Sequence, residues 1–181
     1  MEFQIFNKKL DSTDLFFLLS LVVIYTLMER SIKTILVLLP ITTLWFLAYK
    51  DFKTMEVDNV VSLILLIALL LVNLILFFFN IQFGEIALRN LLGAICLGTV
   101  FQLIVLSTKE KGLGQGDVRI AIISGLMVGF NNLVLWTYIT VFSALIYGSI
   151  LAVRKIQFRG LKIPFVPFMA LGTIVILVLS F

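Results

Sequence analysis

With no histidine and a single cysteine, Cys96, in 181 residues, the chain lacks the parts for Ser-His, Cys-His or His-ligated metal chemistry. The first candidates for acid–base work are therefore its ten carboxylates. Glu2, Asp11 and Asp14 belong to the polar N-terminal stretch and first cap, and Glu29 and Glu85 fall on the outer side of the membrane and need no special role. That leaves Asp51, Glu56, Asp58, Glu110 and Asp117. Asp51 directly follows one long apolar run, in AYKDFKTMEVDN, and Asp117 directly precedes another, in GLGQGDVRI. A carboxylate at such a boundary is only partly solvated, which makes it a candidate for function. Two aspartates brought together can hydrolyse a peptide bond without metal or histidine. One, ionised, takes a proton from water, and the other, protonated, donates to the scissile carbonyl or leaving amine. Like charges at close range spread the two titrations, so the pair shares a proton.

Gly114 and Gly116 flank this reading. Glycine permits backbone conformations closed to other residues and a close approach by substrate or partner. Asp117, at the start of a helix, has its charged form favoured by the helix dipole. A plainer reading stands beside it: Asp117 as a helix cap, and Asp51 as the partner of Lys50, Lys53 or Arg119 in a surface ion pair. A Ser-Lys hydrolase built on Ser107 and Lys109 is conceivable, but a catalytic lysine needs desolvation, and both residues fall in a polar stretch.

The elements that position these residues follow from composition. The chain is 61% hydrophobic and 13% charged, with a mean hydropathy of +1.17; soluble domains are about 45–50% apolar and about 25% charged. Most of its exterior must face lipid. A hydrocarbon core needs roughly 20 apolar residues per helix, and seven candidates appear: residues 15–28, 32–49, 59–79, 86–106, 118–130, 133–153 and 165–181. The fifth is short for a full crossing. Pro40 predicts a kink in the second, Asp58 a cap for the third, and Gly93 and Gly98 close helix contact in the fourth. Trp45, Trp136 and Tyr138 read as packing or interface residues, and the phenylalanines as core or lipid-facing. The expected fold is an all-α polytopic bundle of about six to seven transmembrane helices: a tail over 1–14, then one membrane domain over 15–181. The N-terminus is too polar for a cleaved signal peptide.

Alternating spans put eleven basic residues on one side (Lys8, Lys9, Lys50, Lys53, Lys109, Lys111, Arg119, Arg154, Lys155, Arg159, Lys162) and three on the other (Arg30, Lys33, Arg89). The positive-inside bias makes the first side cytoplasmic, and the five remaining carboxylates share it. The +4 net charge thus reads as topology, and no nucleic-acid partner is expected.

Gly114-Gln115-Gly116-Asp117-Val118-Arg119 resembles the GxGD motif of type IV prepilin peptidases, membrane aspartyl proteases. Asp51-Phe52-Lys53-Thr54 resembles that family's first aspartate. Pro164-Phe165-Val166-Pro167-Phe168 is similar to its PFxPF segment opening the last helix. The resemblance covers about residues 36–181. It implies that Asp51 and Asp117 are catalytic. It further implies that Gly114, Gly116, Arg119, Lys53, Pro164, Phe165 and Pro167 shape the loop or line the site, with no metal and no cofactor. The implied partner is a prepilin or pseudopilin-like precursor, whose short basic leader is cut at the cytoplasmic face of the cell membrane. The sequence departs from the pattern in two ways: Val57-Asp58-Asn59 replaces a proline that often follows the first aspartate, and Arg119 stands for the commoner lysine. The paired CxxC motifs of bifunctional members are missing, so no methyltransferase activity is expected. The other classes weighed are a small cation transporter or channel using Asp51, Glu56, Asp58 and Asp117, and a non-catalytic scaffold of a pilus-like machine. Conduction would place ionisable groups deep in the bilayer, where the sequence has almost none.

Overall fold

The computed structural model describes residues 12–27, 32–79, 81–109, 112–155 and 163–180. Among these the chain is helical, with no strand: α1 (Ser12–Leu27), α2 (Ile32–Thr54), α3 (Asn59–Phe79), α4 (Ile81–Thr108), α5 (Gln115–Val128), α6 (Leu133–Lys155) and α7 (Val166–Ser180), with one 3₁₀ turn, Phe130–Asn132, between α5 and α6. Helices satisfy their own backbone polar groups, the condition that lipid imposes. Segments 59–78, 84–108 and 130–153 are long and apolar enough to cross a membrane, and α1 and α7 contain shorter apolar stretches. The protein is an all-α membrane protein.

The outward faces agree. Leu63, Ile64, Ile67 and Leu71 on α3, and Phe142, Leu145 and Ile146 on α6, are exposed. So continuous an apolar surface suits lipid and would be a liability in water. Inward, Ile41, Leu44 and Leu47 of α2, Ile120 and Ile123 of α5 and Met169 of α7 are fully buried.

The fourteen-residue α5 rises only about 21 Å at 1.5 Å per residue. It is the inner helix, packed mainly on α4 and also on α3 and α7. The α4–α5 crossing depends on glycine. A Cβ on Gly125 would stand 2.6 Å from the Gly93 carbonyl oxygen, and one on Gly93 would stand 2.8 Å from that of Gly125. The backbones therefore touch, as the glycines of the fourth run led one to expect. Gly98 instead faces the side chain of Ile122. α5 stops at Gly129, whose φ of +73° lies in the left-handed region that glycine enters freely.

Two ends near the carboxylates differ from the sequence reading. α2 does not stop at Tyr49 but continues through Asp51 to Thr54, because Ala48, Asp51 and Phe52 still pack inward. It also passes through Pro40 as one helix; Thr43 Oγ1 donates to the carbonyls of Leu39 (3.0 Å) and Pro40 (2.9 Å). α5 begins at Gln115, which puts Asp117 inside its first turn. Asp58 does cap α3, its Oδ1 accepting from the amides of Val60 (3.1 Å) and Val61 (3.2 Å).

Candidate active site

Asp51 sits in the last turn of α2 and is only 5% exposed. Its position comes from α7. Pro164 and Phe165 lead into that helix, Phe168 and Met169 donate their amides to the Phe165 carbonyl, and Pro167 has no amide to give. The Val166 N–H is left pointing out of the first turn, and it donates to Asp51 Oδ2 at 3.1 Å. A carboxylate from α2 thus does for α7 what an N-cap side chain does in other helices. This explains physically why a Pro-Phe segment at the head of α7 belongs with an aspartate 115 residues earlier.

Asp117 is the third residue of α5, and its Oδ2 accepts the Gly114 N–H at 2.9 Å. It reaches back to the start of its own helix, half of a capping box. The glycines around it act differently from the sequence expectation. Gly114 has φ −93°, which any residue can adopt, and a Cβ there would meet nothing closer than 3.8 Å. Conformational freedom is therefore not its role. Gly116 is needed for space: a Cβ would lie 2.8 Å from Val57 Cβ. That contact seats the head of α5 against the α2–α3 connection.

The two carboxylates face one cavity of about 790 Å³, lined also by Met55, Glu56, Val57, Asn59, Leu113, Pro164 and Phe165. Both aspartates lie at the polar ends of their helices, beyond the apolar segments. Burial pushes the Asp51 carboxyl up to about 6, against the Val166 hydrogen bond that pulls it down, and the nearby Asp117 charge adds to the rise. Burial likewise raises Asp117, opposed by the Gly114 amide. Both carboxyl groups are thus reluctant to ionise, and the charge of Asp117 makes Asp51 more so. Such a cavity can hold one acid and one base around a carbonyl.

Of the residues expected at the site, Pro164, Phe165, Gly114 and Gly116 line this cavity. Three other expected residues do not. Lys53 pairs with Asp14 of α1 and stands over the Tyr49 ring, 4.9 Å from its centroid. Arg119 turns to α3. Pro167 lines a separate apolar groove with Phe17, Trp45, Phe52 and Tyr147. Ser107 and Lys109 do not line the cavity either, and the Ser107 hydroxyl donates to Leu103 O at 2.7 Å. Sequence reasoning missed the Val166 amide, because a backbone donor carries no residue-type signal. It also missed Val57 and Asn59, whose place depends on the helix crossing. Lys111, Arg159 and Lys162 lie outside the described residues.

The buried acid has a consequence for stability. Between its unperturbed value of 3.8 and about 6, folded Asp51 holds a proton that the unfolded chain has released. Stability therefore falls as pH rises through that window, and above it the charged group is a standing cost. Asp51→Asn keeps an oxygen for the Val166 amide and cannot ionise. In detergent it should melt a few degrees above the wild type at pH 8, with the gain shrinking to nothing towards pH 4.

The model of the type IV leader peptidase family matches the chain over residues 37–149. The match includes both Asp51 and Asp117 and ends before the Pro164–Phe168 stretch. No curated protein matches, and no solved structure does.

Proposed function

Because the chain belongs to the type IV leader peptidase family, we propose that Asp51 and Asp117 are the catalytic pair with which it cleaves a prepilin- or pseudopilin-like precursor. A role as a leader peptidase, and as an aspartic peptidase in general, comes with the family; the residues and the cut are our reading. The observation that carries it is the shared cavity, where the buried carboxyl of Asp51 and the half-buried one of Asp117, from different helices, face the same space and both are raised by desolvation.

The pair works in its singly protonated form. The ionised aspartate takes a proton from the attacking water, and its neighbour protonates the leaving amine, so that one proton is returned to the pair at each turnover. The precursor's apolar helix lies in the bilayer, and its short basic leader reaches the cavity at the polar end. By the distribution of basic residues that end is the cytoplasmic side of the cell membrane.

The test is cleavage in detergent of a precursor with a basic leader and an apolar helix, with the products mapped by mass spectrometry. One cut at the leader–helix boundary supports the reading, and an intact precursor under all conditions overturns it. A pH series adds a second check. kcat/KM should be bell-shaped, with one limb near pH 6, where Asp51 titrates, and should fall about tenfold per unit on the far flanks. A rate flat from pH 4 to 9 would remove the carboxyl pair from the mechanism.

A further inference from the structure

Arg119 lies two residues beyond Asp117 on α5, yet its guanidinium faces α3. Nη1 donates to the Asn59 carbonyl at 3.2 Å and to Ser62 Oγ at 3.4 Å, and Nη2 donates to Asn59 Oδ1 at 2.8 Å. It forms no ion pair with any described carboxylate. A planar fork that grips the backbone and side chain of one residue fixes orientation as well as distance. Asn59, the first residue of α3, lines the cavity.

The same short connection is anchored on its other side. Asp58 Oδ2 pairs with Lys50 Nζ at 2.6 Å, and Lys50 is the neighbour of Asp51. The Asp51 carbonyl accepts the Met55 amide at 2.8 Å. A bonded path thus runs from the helix turn of Asp51, through Lys50, Asp58 and Asn59, to Arg119 on the helix turn of Asp117. Gly116 abutting Val57 is a second contact between the same two pieces. The two contacts lie on either side of Asp117 in sequence, and they tie the head of α5 to the segment that follows α2.

From this geometry we infer that Arg119 and Asn59 are positioning residues, a clamp that holds the head of α5 on the α2–α3 connection and so sets how Asp117 stands relative to Asp51. The inference rests on the proposed catalytic pair. The Arg119 guanidinium is committed to Asn59 and Ser62 and is not part of the cavity lining.

The experiment measures kcat and KM on the purified full chain with the same precursor, for wild type, Arg119→Met, Arg119→Lys, Asn59→Ala and the Arg119→Met/Asn59→Ala double variant, with Asp51→Asn as reference. Methionine keeps the stem and removes the fork. Small misplacements of a reacting group cost up to about a hundredfold. Arg119→Met and Asn59→Ala should each lower kcat by about 10- to 100-fold, with KM within about threefold of wild type. The double variant should be no worse than the poorer single, because one clamp is lost either way. Arg119→Lys keeps one donor and should fall between. Melting curves normalise each rate to folded protein. The clamp is overturned by Arg119→Met with wild-type kcat, by a loss confined to KM, which would mean that Arg119 binds substrate, or by losses that merely follow the folded fraction. If Asp51→Asn still cleaves, it is the catalytic pair that fails, and that outcome is separate from all of these.

Discussion

Replacing Asp51 or Asp117 by asparagine is expected to lower precursor cleavage by about 10³-fold or more while leaving folded protein in normal yield. Positioned general acids and bases contribute about 10² to 10⁴ each, and asparagine can neither accept nor release the proton. The local bonds survive the change. At 51 an amide oxygen still accepts the Val166 N–H, and at 117 one still accepts that of Gly114. The loss is therefore chemical and not a failure to fold, and Asp51→Asn even gains stability at alkaline pH. Among the other carboxylates, Asp58 makes the sharpest contrast. Its oxygens are committed to Lys50 and to the first amides of α3, and the hydrogen bond from Lys50 holds it below the usual carboxylate range. Removing it would loosen a loop and leave the acid–base pair chemically whole.

The second large effect lies far from the carboxylates. Gly125→Leu should abolish folding, and even Gly125→Ala should cost at least about 3 kcal/mol, at the upper end of what overpacking does. The added Cβ would stand 2.6 Å from the Gly93 oxygen and 2.7 Å from the Ala94 Cα. These are backbone atoms that cannot rotate away, so α4 and α5 must separate. Because α5 also carries Asp117, activity should fall further than the folded fraction does. Gly98→Ala is the control on α4. Its Cβ would meet Ile122 Cγ1 at 2.8 Å, a side chain that can turn, so the melting temperature should move by a few degrees at most. Thermal melts in one detergent compare all three.

Much of this architecture was legible in the sequence, because lipid leaves few choices. Long apolar runs have to be helices, and the runs at 59–79 and 133–153 reappear as α3 and α6 with little change at their ends. The helix ends at the site were less legible. Composition turns polar at Lys50, yet α2 continues to Thr54, because tertiary packing buries Asp51 and Phe52 beyond the apolar run. Gly116 could be recognised as meaningful but not understood, since the clash that excludes a side chain is with Val57 in another element. Lys53 and Arg119 carry charge at places in the motif that point to the site. Their directions are set by partners on α1 and α3, which no local pattern announces. The Val166 amide that holds Asp51 is backbone, and only the fold reveals it.

The measurement that bears most directly on the central claim, two aspartates acting as one unit, is a double-variant cycle. Single-turnover cleavage of one precursor is followed near pH 6 for wild type, Asp51→Asn, Asp117→Asn and the variant carrying both, each normalised to folded protein. Groups that share one proton fail together, so the second loss adds little to the first. The account predicts two singles slowed about 10³-fold and a double within about tenfold of the poorer single. A single that keeps more than about a tenth of wild-type activity, or a double whose loss is the product of the two, would contradict it.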